Sequence, residues 1–176
     1  MKNDFSEIQS EIDAMQPDLV RIRRDLHRHP ETGWLEMRTT AILAKELREL
    51  GCEIYTEGAR LGLPDAQVLA AHAEQALAQG APEDELTADV RAGYTGVIAI
   101  LRCGEGPTVA MRFDIDALPM TECPQDAHRP TREGFASVNP GMMHACGHDG
   151  HAAIGLGVAR ILMAHRDVLH GTVKLI

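Results

Sequence analysis

The chain has 176 residues, a formal net charge of −9, and only 3% aromatic side chains. That is one ordinary domain with an aliphatic core, burying roughly 70% of its unfolded surface. The acidic balance argues against nucleic acid as a partner, because phosphate binding needs a basic face, and the short apolar runs, broken by glycine, argue against a membrane span.

Residues 5–28 read as helix, with Ile8, Ile12, Met15, Leu19, Ile22 and Leu26 at three- and four-residue steps. Pro17 predicts a kink or a joint within it. His29–Gly33 reads as a turn, and a second helix runs from about 35 to 50, stopped by Gly51. Cys52–Thr56 is a strand candidate. Residues 64–79 are helical, opened by Pro64-Asp65, and 80–93 are acidic and turn-rich. Gly96–Arg102 and Thr108–Phe113 read as strands joined hairpin-fashion through Cys103–Pro107. A long irregular stretch, 117–143, carries Pro119, Pro124, Pro130 and Pro140; such loops usually serve function. Residues 150–165 read as helix, with Ile154, Val158, Ile161 and Leu162 on one side and Asp149 as the cap. Gly171–Ile176 is a final strand. Alternating helices and strands imply an α/β layered domain. The N-terminus lacks the apolar core of a signal peptide. Cys52, Cys103 and Cys123 are scattered and read as free thiols, so the expected compartment is the cytoplasm.

The chemistry concentrates in Met143-His144-Ala145-Cys146-Gly147-His148-Asp149-Gly150-His151, where five donors fall within nine residues. Cysteine beside histidine suits zinc and related divalent ions. Gly147 and Gly150 let the backbone turn between donors. If 144–148 is extended, Cys146 and His148 point the same way. By contrast His27, His29, His72, His128, His165 and His170 read first as ordinary surface or core residues, with His27 and His165 favouring helix C-termini.

A second constellation, Met111-Arg112-Phe113-Asp114-Ile115-Asp116-Ala117-Leu118-Pro119, places two carboxylates where an apolar strand runs out. Ligand sites in open α/β sheets favour that end. Such a pair binds a cation or orients a metal-bound histidine. Asp-x-Asp also opens the haloacid-dehalogenase phosphatases, with the first Asp as nucleophile. There the pair lies near the chain start and runs on into Gly-Thr, whereas here it runs into Ala117-Leu118-Pro119. Solvated turn aspartates and a non-catalytic metal-binding module are the other readings.

Taken together, Met142–His151 and Phe113–Pro119 resemble the M20 metallopeptidase family, in its amidohydrolase branch. Arg23–Glu31 followed by Gly33-Trp34, and the closing Gly171–Ile176, fit the same pattern. The resemblance implies that the chain is the N-terminal part of a zinc-peptidase-like helix/sheet/helix catalytic domain, with an insertion at about 57–93 and no lid or dimerisation domain. It implies Cys146 and His148 as ligands of two divalent ions, Mn or Zn, and Asp116 as the carboxylate orienting a ligand. Asp114 stands where a related branch has a ligand histidine, and His144, Asp149 and His151 are supporting. The implied reaction is hydrolysis of the amide bond of an N-acyl amino acid, for which p-aminobenzoyl-glutamate, a folate breakdown product, is the expected substrate. A second hydrolase subunit or a homodimer is the implied partner. The family's base glutamate lies in an aromatic-Gln-Pro-Ala-Glu-Glu segment that would follow Ile176, so these 176 residues alone are expected to be inactive.

Overall fold

The computed structural model describes residues 5–56 and 64–176. The start of the expected insertion, 57–63, and the first four residues lie outside them. Helix α1 (Phe5–Arg28) is one continuous element with Pro17 inside it. It is followed by α2 (Met37–Glu49) and the short strand β1 (Glu53–Tyr55). Helix α3 (Ala66–Ala78) is capped by Asp65, whose side chain accepts from the Gln67 amide. A single-turn helix α4 (Ala88–Arg91) follows, then β2 (Ile98–Arg102), β3 (Thr108–Met111) and the single-turn α5 (Arg129–Arg132). Helix α6 (His148–Ala164) and strand β4 (Thr172–Leu175) complete the order.

The strands form one sheet in the order β1-β2-β4-β3. Strand β2 is antiparallel to β1 and β4, and β3 is parallel to β4. The expected hairpin between β2 and β3 is therefore not formed. The connection does reverse the chain, but β4 occupies the space between them. It enters by close backbone approach: the Thr172 amide donates to the Pro107 carbonyl at 2.9 Å. A Cβ on Gly171, whose φ is +91°, would lie 2.1 Å from that same oxygen. Hairpin signals in sequence read local turn residues and cannot register a strand that arrives much later in the chain.

One core cluster joins Ile22 and Leu26 of α1, Leu43 and Leu47 of α2, Ala152, Leu156 and Ala159 of α6, and Ala99, Leu101 and Leu175 of the sheet. Ala99 and Leu101 alternate along β2, and Leu175 pairs with Ala99, so these three share one sheet face. A second cluster places Met37 and Ala41 of α2 against Leu69, Ala73 and Ala76 of α3 and Val90 of α4. Helix α2 thus has two apolar faces, and residues 64–93 form a layer on its outer side.

On α6, Val158 and Leu162 of the expected apolar side pack against the core, but the fully buried face is made mainly of small residues. Ile154 is 58% exposed, whereas Ala152, Ala153, Gly155, Leu156 and Ala159 are buried. Small residues bring α6 close to its neighbours. A Cβ on Gly157 would meet Leu19 at 2.9 Å, and one on Gly155 would meet Phe113 at 3.0 Å. Counting large aliphatics missed this, because close helix contact here uses the residues with least side chain.

Substituting Gly171→Ala strains a positive φ and clashes with backbone on the neighbouring turn. The expected cost is about 2 kcal/mol or more, read as a loss of several degrees in the melting temperature. An unchanged melting temperature would contradict the tight crossing of β4 past Pro107.

Candidate metal centre

The site is built where β3 ends. The Phe113 amide donates to the Ile176 carbonyl at 2.8 Å, carrying the ladder one residue past the strand. The chain then detaches, presenting Asp114 and Asp116. It is held there by the turn before α2: the Ala117 amide donates to the Glu31 carbonyl at 2.7 Å. The Glu31 carboxylate in turn accepts from the Arg38 and Thr39 amides, each at 2.8 Å, and from the Thr39 hydroxyl at 2.9 Å. It holds the first turn of α2 from outside the helix. Burial pushes its pKa up to about 7, against those three hydrogen bonds, which favour the charged form.

The loop from 119 to 142 is closed at its base by reciprocal hydrogen bonds between Leu118 and Met143, at 3.0 and 3.1 Å. This pairing brings the histidine-rich turn beside the two aspartates. Gly147, at φ +85°, turns the chain into α6, and His148 is the first helical residue. Residues 144–148 are therefore not one extended run, and the condition for Cys146 and His148 to point alike is not met. Nor is Asp149 the cap. It sits in the first turn of α6, buried, with its carboxylate facing α1.

Three side chains converge: Asp114, His148 and His151 offer donor atoms within 4.8 Å of one another. His148 and His151 stack with ring centroids 5.1 Å apart, as residues three apart on a helix do. The His148 Nδ1 lies 2.9 Å from an Asp116 carboxylate oxygen and 3.0 Å from the Asp116 carbonyl. Both partners accept, so Nδ1 donates and Nε2 keeps its lone pair facing Asp114, 4.0 Å away. A carboxylate behind a histidine in this way is the usual support of a metal ligand. Two imidazoles and a carboxylate suit a first-row divalent ion. Neighbouring donors around one tetrahedral ion on bonds of about 2.1 Å are about 3.4 Å apart, so these side chains would draw together to hold one. Arg112 also donates to Asp114, at 2.7 Å, on the exposed side. Cys146 is exposed and stands outside this group of three.

Behind the turn lies a buried network that sequence reasoning missed. Asp149 accepts from Arg23 Nε at 3.0 Å and from His27 Nδ1 at 2.9 Å. His27 Nε2 is 2.9 Å from Glu122, which also meets His128 at 2.8 Å and the Ser137 amide. Burial disfavours the His27 imidazolium, but the hydrogen bonds to Asp149 and Glu122 outweigh it and hold the pKa above the ordinary value. Burial likewise opposes ionisation of Asp149 and Glu122. Their hydrogen bonds reverse the sign: His27 and Arg23 lower Asp149, and the Ser137 amide, His27 and His128 lower Glu122. His27 is thus no helix-end histidine of convenience. Its only sequence signal was its place in the polar run Arg23–His29, and Glu122 had none. His165, read the same way, pairs with Glu11 at 3.0 Å.

Residues 110–176, which carry both halves of this centre, match the model of peptidase family M20/M25/M40. The chain carries a domain of the M20 peptidase family. It is 48% identical over 172 residues to the indole-3-acetyl-aspartic acid hydrolase of Enterobacter agglomerans. It is 46% identical over 172 residues to one of the subunits of p-aminobenzoyl-glutamate hydrolase from Escherichia coli strain K12. Each match covers 94% of this chain and 39% of the relative, so the chain spans about two-fifths of their length. A crystal structure of aminobenzoyl-glutamate utilization protein from Klebsiella pneumoniae matches with a TM-score of 0.73 at 34% identity, over 96% of this chain and 38% of that one. A Bacillus subtilis protein described as a dinuclear metal binding peptidase of the M20 family matches with a TM-score of 0.63 at 35% identity, over 93% and 35% of the two chains. The M20 segment holds Asp114, Asp116, His144, Cys146, His148, Asp149 and His151, while Arg23 and His27 reach it from α1. Among the described residues no helix is long and apolar enough to cross a membrane.

The buried network makes stability depend on pH in two directions. Asp149 and Glu122 have depressed pKa values, so their contribution is complete above the ordinary values of 3.8 and 4.5 and fades as pH falls through the folded ones. His27 has a raised pKa, so its contribution is complete below 6.5 and is lost as pH climbs through the folded value. The melting temperature should peak in weak acid, and His27→Gln should flatten the decline above pH 6.5, leaving the separate loss that Glu31, with its raised pKa, contributes up to about pH 7. A decline that persists unchanged in that variant would exclude His27 as its source.

Proposed function

We propose that the chain supplies metal-binding residues to an amidohydrolase that cleaves N-acyl amino acids. The observation that carries this reading is His148, oriented by Asp116 and facing Asp114 beside His151. Asp114, His148 Nε2 and His151 would hold one divalent ion, zinc or manganese. Cys146, exposed on the preceding turn, is the available thiolate donor toward a second ion, in line with the M20 match and the dinuclear description of the B. subtilis protein. A bound ion of this kind lowers the pKa of water toward about 7 and polarises an amide carbonyl. The chain's own contribution is placement. Asp116 fixes the tautomer and tilt of His148, Arg112 tethers Asp114, and the Leu118–Met143 pairing sets the distance between the two segments.

The named relatives act on an acyl-aspartate and an acyl-glutamate, each with an aromatic acyl group. An N-aroyl or N-arylacetyl acidic amino acid, such as p-aminobenzoyl-glutamate, is therefore the substrate this reading favours, with a role in folate catabolism in the cytoplasm. The E. coli relative is named as one component of a hydrolase with more than one kind of chain, which supports a different hydrolase chain in the role of partner.

Metal analysis after dialysis against Zn²⁺ or Mn²⁺ tests the ligands directly. Asp116→Ala should weaken metal affinity about 10–100-fold, the usual effect of removing a histidine's carboxylate partner. His148→Ala should abolish the site. Metal content that survives His148→Ala would refute the assignment, and p-aminobenzoyl-glutamate hydrolysis indifferent to chelator would refute the reaction class.

A further inference from the structure

On the α1 side of the histidine-rich turn lies a cavity of about 410 Å³. Its walls include Arg23, His128, Arg129, His144 and Cys146, and no aspartate or glutamate is among the described residues that line it. That is unexpected in a chain of net charge −9. The carboxylates stand behind the wall. Asp149 holds Arg23 by Nε at 3.0 Å and Glu133 holds Arg129 by Nε at 2.6 Å. Each guanidinium is thereby fixed at one edge, with its remaining N–H groups available to a ligand.

A second observation is independent of charge. His144 is 5% exposed, lines the cavity, and has no hydrogen-bond partner for either ring nitrogen. Leaving a buried polar group unpartnered is unfavourable, and native structures rarely tolerate it without a ligand or water. Phe135 and Pro130 supply an apolar wall beside His144. A basic rim and an apolar side make a place for a small organic anion rather than a bare cation.

We propose that this cavity is a carboxylate subsite, filled by the side-chain carboxylate of an N-acylated aspartate or glutamate. Cys146 and Gly147 form the wall shared with the turn that carries His148, so a group held here lies one turn from the metal-binding side chains. The identity of the ligand rests on the amidohydrolase reading above, whereas the subsite itself does not require a metal.

The test uses the metal-free 176-residue chain with chelator present, so a failure of the metal assignment leaves it readable. N-acetylglutamate is titrated while the His144 ring resonances are followed by NMR, with N-acetylglutamine, which differs only in lacking the side-chain charge, in parallel. The acid should shift His144 saturably and the amide should not. Arg129→Gln, on the exposed rim, should weaken the acid about fivefold, the scale of one partly screened charge pair. Arg102→Gln, in an exposed pair with Glu53 on β2, should leave binding unchanged. Equal shifts from acid and amide, no shift from either, or identical binding by Arg129→Gln would each overturn the subsite.

Discussion

Everything at the site depends on one buried carboxylate. Asp149 has almost no exposed surface, yet it is ionised, because Arg23 and His27 reach it from α1. An unpaired charge in that position would cost several kcal/mol. Paired, it locks the start of α6 against the end of α1. His148 and His151 flank it in the same helical turn, so the tie that holds Asp149 through its Oδ2 also fixes where the candidate ligands stand. Breaking one partner would leave the others buried and uncompensated, so the network acts as a unit.

The same economy appears on the opposite side of the turn. Glu31 orders the beginning of α2 with its carboxylate and the end of the Asp114–Asp116 segment with its carbonyl. Glu122 gathers His27, His128 and the Ser137 amide, folding the long loop onto α1. A loop that would otherwise be loose is pinned by buried charge at its middle and a two-bond bridge at its base. The aspartates and histidines come from segments about thirty residues apart, and these polar anchors place them together with the apolar packing of Phe113 and Ile115 beside α6.

Much of this was legible in the sequence. The helices from 5, 35, 64 and 150 and the strands near 53, 98, 108 and 172 follow from apolar runs and spacing, although β1 and β3 carry no fully buried residue. The nine-residue cluster pointed to the candidate site, since so many donors together have no packing explanation. Asp116 behind His148 agrees with the orienting role the family resemblance implied. What could not be read were relations between distant residues. Nothing near Glu122 signals that His27 will meet it, and nothing near Cys103–Pro107 signals that β4 will enter. Asp149 looked like a cap because caps are local, and its partners lie more than a hundred residues earlier. The apolar side read for α6 carries the exposed Ile154, while the alanines and glycines of the helix make the closest contacts.

The order of the sheet sets a timetable. Among the described residues strand β3 pairs only with β4, and β2 has β1 alone until β4 arrives between them. At about 5–20 residues per second, a ribosome needs several seconds to travel from Arg102 to Thr172. During that interval the apolar strand Thr108–Met111 has no partner within its own chain. Unpaired strand edges of this kind invite pairing with other chains, so the nascent protein is most exposed to aggregation, and most in need of a chaperone, shortly before its central strand emerges.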